Sequence, residues 1–417
     1  MRGMFAGNAA ASTGIAGDSR AGGEFVISGS GRRCRRPIVQ DPFSGYNPQP
    51  MSERTRGSEY MRWAKENHAS VRFNLAVSGI PSLTLADLGA RIEDLELTGP
   101  DGYGYAPLVQ ALAAHCAVPE ESVVAATGTS MANHLVLAAL LDPGDEVAIE
   151  LPGYGPLVDA AEYLGTRVRR FPRRREDGFA VDPDLVRQAL TPRTRLIVLT
   201  NLHNPSAALT GEDTLREIGA LAERVGARVL VDEVYLDAAF EDAPRSAFHL
   251  VGPFVTTSSL TKVYGLSGLR CGFILAPKEL ARRIWLLNDL FGVNAAHAAE
   301  RLSVIALSRL PELAARSRAL LDANRPILNL FLETCRHVEA PPSARGTTAF
   351  PRLLAGSVDR LETLLREKYE ASVSPGRFFG APDHFRVGIS CPTPILEAGL
   401  ERLASAIAEL ARERREG

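Results

Sequence analysis

From about residue 120 onward the chain alternates between short, unbroken apolar runs and segments with a helical apolar period. Val123–Thr127, Glu146–Glu150, Arg167–Phe171, Arg195–Thr200, Arg228–Val231, Phe254–Ser258 and Cys271–Leu275 read as strands. Between them, Met131–Leu141, Pro156–Leu164, Asp184–Leu190 and Glu212–Val225 carry apolar residues at helical spacing. Runs such as Leu196-Ile197-Val198-Leu199 show no polar alternation, the mark of a strand covered on both faces. Such strands, separated by helices, predict an α/β fold with a mostly parallel sheet flanked by helices. After Pro277 the pattern turns helical, and Ala295 to Cys335 holds a long apolar period interrupted at Pro311 and Pro326. A strand near Thr348–Leu353, a helix at Val358–Glu370, a strand at Phe385–Ile389 and an amphipathic helix from Leu396 to about Arg412 predict a smaller α+β domain.

These shifts divide the chain into a disordered extension at 1–36, rich in Gly, Ala, Ser and Arg, and an arm at 37–80 belonging to the small domain. A large domain at 81–290, connecting helices at 291–335 and a C-terminal small domain at 336–417 follow.

Composition narrows the chemistry. A net charge of −2 supplies no field that favours nucleic acid or an acidic membrane. The five cysteines are scattered and form no C-x-x-C, which suits a reducing cytoplasm and excludes a disulfide framework. The histidines show no H-x-x-x-H spacing, so no metal is expected. No apolar run approaches the length of a membrane span.

One stretch carries most of the chemical signal: Ser259-Leu260-Thr261-Lys262-Val263-Tyr264-Gly265-Leu266-Ser267-Gly268-Leu269-Arg270-Cys271-Gly272. A lysine between a strand end and a glycine-rich loop can reach out of the sheet edge, and Gly265 and Gly268 are expected to let backbone approach a ligand. Ser259 and Arg270 flank the lysine and could both meet one phosphate. Upstream, Val229-Leu230-Val231-Asp232-Glu233-Val234-Tyr235 sets a carboxylate at the carboxyl end of a strand, where α/β sheets bind ligands. Gly128-Thr129-Ser130 precedes a helix whose free N–H groups favour an anion. Pro152-Gly153-Tyr154, Asn204-Pro205-Ser206, His384-Phe385-Arg386-Val387-Gly388 and Asn74-Leu75-Ala76-Val77-Ser78-Gly79 complete the set.

In this order the segments resemble the class I/II aminotransferases, the fold-type I pyridoxal-phosphate enzymes, from about Phe73 to the C-terminus. The resemblance implies pyridoxal 5′-phosphate, held by Lys262 as a Schiff base, with Ser259, Arg270, Gly128, Thr129 and Ser130 around its phosphate. It implies that Asp232 pairs with the pyridine nitrogen, that Tyr235 and Asn204 bond the phenolic oxygen, and that Tyr154 stacks on the ring. Arg386 would grip the substrate α-carboxylate with Gly79 beside it. In the N-P-T-G turn of the family, Ala207 replaces the glycine here. The family also sends a tyrosine to the phosphate of a neighbouring subunit. Gly99-Pro100-Asp101-Gly102-Tyr103-Gly104-Tyr105 offers two, of which Tyr103 is favoured, and Asn294 also approaches that interface. A homodimer is therefore expected, acting by a ping-pong mechanism on an amino acid and a 2-oxo acid. Lyase, decarboxylase or cyclising synthase chemistry remains open, because the motifs serve the cofactor and the α-carboxylate rather than one reaction.

Two other classes fit less well. Ser259-Leu260-Thr261-Lys262 also reads S-x-x-K, as in penicillin-binding serine enzymes, but their S-D-N and K-T-G partners do not occur. A regulator with a helix-turn-helix module would need it ahead of Phe73, where the chain is short and rich in glycine.

Overall fold

The sheet that organises the protein has seven strands, ordered β2-β8-β7-β6-β5-β3-β4. In the computed structural model, residues 57–67, 71–99 and 102–416 are described. The strands are β2 (Val123–Thr127), β3 (Glu146–Leu151), β4 (Arg167–Pro172), β5 (Thr194–Thr200), β6 (Arg228–Asp232), β7 (Phe254–Ser259) and β8 (Cys271–Leu275). Neighbours from β4 to β7 run parallel, and only β8 is antiparallel to β7 and β2. The central strands are buried along nearly their whole length, as their unbroken apolar runs predict. The edge strand β4 instead exposes Arg167 and Arg169, which blunts an open edge.

Helices α3 (Gly128–Leu140), α4 (Gly155–Tyr163), α5 (Pro183–Ala189), α6 (Glu212–Val225) and α7 (Lys278–Asn288) cover the sheet, with α2 (Ala106–Cys116) ahead of β2. One apolar cluster joins α3, α4 and α7 to the sheet, and another joins α5 and α6 to it. The helix expected from Met131 begins at Gly128, so Gly128-Thr129-Ser130 form its first turn instead of preceding it.

Helices α8 (His297–Ser308) and α9 (Leu310–Thr334) follow. The expected break at Pro326 does not occur, and α9 runs through it. An interior proline costs about 3 kcal/mol, but side chains on either side anchor the helix. Asn324 Nδ2 donates to Ile389 O and Cys391 O, while Arg325 and Asn329 bond the 343–346 segment.

The C-terminal part has its own apolar cluster, formed by α9, α10 (Val358–Lys368), α11 (Thr393–Glu416) and short strands. β1 (Phe73–Asn74) pairs with β12 (Ala371–Ser372), tying the early segment to the end of the chain. β9 (Val338–Glu339) pairs with β11 (Arg352–Leu353), so the strand expected over Thr348–Leu353 is two short ones. β14 (Phe385–Gly388) lies between β10 (Thr348–Ala349) and β13 (Ser374–Pro375). Strand alternation sends Phe385, Val387 and Ile389 into the cluster and Arg386 to the other side.

One element was not expected from the pattern. α1 (Glu59–Asn67) buries Tyr60, Trp63 and Ala64, at positions i, i+3 and i+4, against Phe378, Phe379 and Phe350. The extension expected over 1–36, and the first part of the arm expected over 37–80, as far as residue 56, lie outside the described residues. Among the described residues no helix is long and apolar enough to cross a membrane.

Candidate active site

The carboxyl ends of the parallel strands converge on one cavity of about 200 Å³. Tyr154 follows β3, Asn204 follows β5, Asp232 ends β6 and Ser259 ends β7. Lys262 sits three residues past β7, and Arg270 immediately precedes β8. Thr129 and Ser130 enter from α3 and Arg386 from β14. All of these line the cavity, together with Tyr235.

Strand register sets the floor. Asp232 lies between Thr200 of β5 and Thr257 of β7. Its Oδ2 accepts from Asn133 Nδ2 at 2.7 Å and its Oδ1 from the Val234 N–H at 3.1 Å, while Thr257 Oγ1 donates to Asn133 Oδ1 at 2.6 Å. Burial pushes the Asp232 carboxyl up to about 6, against the pull of those two hydrogen bonds. On the β5 side, Thr200 donates through N and Oγ1 to Glu150 Oε1, and Thr200 Oγ1 accepts from the Asn204 N–H at 2.9 Å. Glu150 forms a fully buried ion pair with Arg173 at 2.7 Å. Burial still holds the Glu150 carboxyl above its ordinary value, with Arg173 pulling it back.

Arg386 is 1% exposed and reaches four groups, Ser374 Oγ at 3.3 Å among them. Its guanidinium donates to Asn204 Oδ1 at 2.8 Å, to Tyr60 Oη at 2.9 Å and to Ala76 O at 3.1 Å. Burial alone would lower it, but the hydroxyls of Tyr60 and Tyr235 facing it hold it above its usual value. Tyr60 responds in kind: burial would raise its hydroxyl, and the charges of Arg386 and Lys262 bring it below the usual tyrosine value. Lys262 Nζ donates to Ser78 Oγ at 3.5 Å, and Ser78 Oγ pairs with Tyr235 Oη at 2.7 Å.

The first turn of α3 is built for an anion. Thr127 makes no side-chain cap, so the leading N–H groups of this 13-residue helix are not taken by a side chain at that position. Gly128 has φ +75°, and a Cβ there would strike the Arg270 guanidinium. A Cβ on Gly272 would strike the Gly128 backbone in turn, which is why both positions carry glycine. Three buried polar atoms of the cavity-lining residues have no partner: Thr129 Oγ1, Thr261 Oγ1 and Arg386 Nε. Unpaired buried polar groups are costly, and these suit a group that brings a phosphate and other acceptors. With a basic pair, an anion-binding helix end and a buried carboxylate in one cavity, the residues fit pyridoxal phosphate.

Other predicted residues fall outside the lining. Gly79 packs against the Lys262 side chain, where an added Cβ would stand 3.5 Å from its Cδ. Tyr103 is 57% exposed, beside Trp285, with its hydroxyl 3.4 Å from Asp289 Oδ2. Asn294 faces Gly102 O at 2.9 Å, and Tyr105 meets the His297 ring edge-on at 4.8 Å. Neither Gly265 nor Gly268 lines the cavity. The Gly265 backbone is held close to Pro81, whose carbonyl would be 2.6 Å from a Cβ, and Gly268 faces open space. Ala207, in place of the family glycine, takes φ +62°, so the turn keeps a left-handed residue there.

Tyr60, Met61, Ala64, Ser78, Asn133, Thr200 and Thr261 also line the cavity and were not singled out from the sequence. Asn133 was findable: it is a polar residue one turn after Gly128-Thr129-Ser130, in a helix whose following positions from Leu135 on are apolar. Tyr60-x-x-Trp63-Ala64 carried the helical spacing of α1.

The comparisons with known proteins agree with this site. The capreomycidine synthase of Streptomyces vinaceus is 31% identical over 369 residues, covering 85% of this chain and 95% of that protein. A probable aspartate/prephenate aminotransferase of Aquifex aeolicus is 28% identical, covering 70% of this chain and 77% of its own. Among solved structures, a PLP-dependent aminotransferase from Streptococcus suis superposes with a TM-score of 0.79 at 26% identity, covering 84% and 97% of the two chains. The family model for aminotransferase class I and II matches residues 91–407, and the chain belongs to that family.

Proposed function

We propose that this protein is a pyridoxal-phosphate-dependent aminotransferase that moves an amino group from an amino acid to a 2-oxo acid, with Lys262 carrying the cofactor. The observation that carries the reading is the convergence of Lys262, Asp232 and Arg386 on one cavity. Bound there, the cofactor supplies an electron sink that acidifies the Cα–H bond of an amino acid. Arg270, Ser259 and the first turn of α3 hold its phosphate. Asp232 keeps a proton on the ring nitrogen, and Asn133 keeps Asp232 in place. Asn204 gives its Oδ1 to Arg386, which leaves its Nδ2 free to donate to the phenolic oxygen, as Tyr235 Oη also does. Tyr154 supplies an aromatic face. Arg386 binds the α-carboxylate of donor and acceptor alike and so orients the Cα–H bond. Lys262 Nζ takes the proton from Cα and returns it.

Tyr103 and the exposed apolar residues Leu97, Leu290 and Val293 suit a second copy of the chain. The protein is therefore a homodimer in this reading, with Tyr103 crossing to the partner's phosphate, and the free cysteines Cys116, Cys271, Cys335 and Cys391 suit the cytoplasm.

A second reading is a cyclising synthase, favoured by the capreomycidine synthase relative. Amino acid supplied without an acceptor separates the two. Transamination releases one equivalent of 2-oxo acid per site and stops. Turnover that continues, with a ring-closed product or ammonia accumulating, would replace the first reading with the second.

A further inference from the structure

We infer that Ser78 is a positioning residue for the reaction: it relays the protonation of Lys262 to the direction of the Tyr235 phenolic hydrogen. Ser78 is 5% exposed and stands between the two groups, 3.5 Å from Lys262 Nζ and 2.7 Å from Tyr235 Oη. An ammonium has donors and no acceptor, so a charged Lys262 obliges Ser78 Oγ to accept. The single Ser78 hydrogen then goes to Tyr235 Oη, and the Tyr235 hydrogen is free to point into the cavity. When the lysine nitrogen carries a lone pair, the Ser78 hydrogen can turn toward it. Tyr235 then donates to Ser78, and its hydrogen leaves the cavity. One hydroxyl thus couples the group that moves the proton to the group that faces the cofactor's phenolic oxygen.

The loop around Ser78 is pinned in a way that preserves this spacing. Ile80 N donates to Lys262 O at 2.9 Å, Gly388 N donates to Leu75 O at 2.7 Å, and Ser390 Oγ donates to Val77 O. At Gly79 the strap lies against the lysine stem, where an added Cβ would make ordinary van der Waals contact with it. The other titratable or charged groups lining the cavity are Asp232 from β6, Tyr60 from α1, Tyr154 ahead of α4, Arg270 ahead of β8 and Arg386 from β14. Asp232 and Tyr60 feel the Lys262 charge. Ser78 alone among the described residues hydrogen-bonds both Lys262 Nζ and Tyr235 Oη.

The inference rests on Lys262 holding the cofactor, and the test keeps the two apart. Full-length protein loaded with pyridoxal phosphate is titrated from acid to alkaline pH, following the visible band that reports the proton on the Lys262 nitrogen. In Ser78→Ala, Tyr235 loses the hydrogen bond that strengthens its own donation. Ser78→Ala also deletes the acceptor that a protonated Lys262 nitrogen uses, but that contact is long, 3.5 Å against 2.7 Å for the bond to Tyr235, so the loss at Tyr235 outweighs it: less electron density is drawn from the phenolic oxygen, and the nitrogen holds its proton to higher pH. The midpoint rises by about half a unit to one unit, the size of one hydrogen bond. Ser78→Thr, which keeps the hydroxyl, restores the wild-type midpoint. Tyr235→Phe raises the midpoint too, and Ser78→Ala adds nothing on top of it, because the serine acts through the tyrosine. If Ser78→Ala takes up no cofactor, Ser78→Cys, a weaker donor, must show the same upward shift. An unshifted midpoint in a loaded variant, or full additivity with Tyr235→Phe, overturns the relay and leaves the Lys262 assignment standing. Borohydride label found on another lysine of the wild-type protein would overturn both.

Discussion

Asn133→Ala tests the floor of the site through a quantity that can be worked out in advance. Asn133 donates one of the two hydrogen bonds that hold the Asp232 carboxylate, which burial has already pushed up to about 6. A hydrogen bond to a charged group contributes about 1.5–3 kcal/mol, and one pKa unit corresponds to about 1.4 kcal/mol. Removing it therefore raises the carboxyl by about one to two units, to roughly 7–8. At pH 7 the wild-type carboxyl is about nine-tenths ionised, and the variant between about one-tenth and one-half. Cofactor whose ring nitrogen is to be held protonated binds the ionised form. The variant should thus bind pyridoxal phosphate about two- to tenfold more weakly at pH 7. The deficit should vanish well above the new pKa, where both carboxyls are charged. Titrating the cofactor-free protein with pyridoxal phosphate across pH 6 to 9 checks this, because the cofactor's own ionisations cancel in the ratio of variant to wild type. A ratio independent of pH would refute the argument and return Asn133 to a packing role. Thr257 Oγ1 also loses its acceptor, which costs about 1–3 kcal/mol of stability and is read separately by denaturant titration.

Other changes follow from the same geometry. Lys262→Ala should abolish the label that borohydride leaves in the wild-type protein, and peptide mapping that finds the label elsewhere would move the site. Arg386→Lys should lower kcat/KM for donor and acceptor together by about a hundredfold, since a point charge lacks the two-point fork; an effect on one substrate alone would contradict the shared role. Arg173→Met strands the buried Glu150 charge and should cost about 3–5 kcal/mol in urea unfolding, whereas a loss below about 1 kcal/mol would mean that Glu150 neutralises itself by taking a proton. Tyr103→Phe should weaken cofactor binding about fivefold, one hydrogen bond's worth, while leaving unfolding unchanged; unaltered affinity would remove Tyr103 from the phosphate.

The strands of the sheet could be read because they are buried on both faces, so each appears as an uninterrupted apolar run such as Leu196–Leu199. The motif residues could be read because their chemistry is local. Ser259, Lys262 and Arg270 lie at the end of β7 and on the segment that joins it to β8, and Asp232 and Tyr235 at and just past the end of β6. Helix ends and breaks were less legible. Gly128 opens α3 at φ +75° with the Arg270 guanidinium standing where its Cβ would be, and Pro326 stays within α9 because Asn324, Arg325 and Asn329 are anchored to distant segments. No local window contains either contact.

The amino-acid order alone therefore determined the family, the sheet and the motif residues that line the cavity, each through signals within a few positions of one another. Tertiary structure decided which polar atoms those residues use and which remain free. Asn204 spends its carbonyl on Arg386 from 182 positions away. Asp232 depends on Asn133, 99 positions earlier, and Tyr235 on Ser78, 157 positions earlier. α1 closes on Arg386 through Tyr60 across 326 positions. The physical reason is the same in each case. A buried polar group must find a partner wherever the fold brings one within about 3 Å, and the chain distance between the two leaves no periodic trace in the sequence.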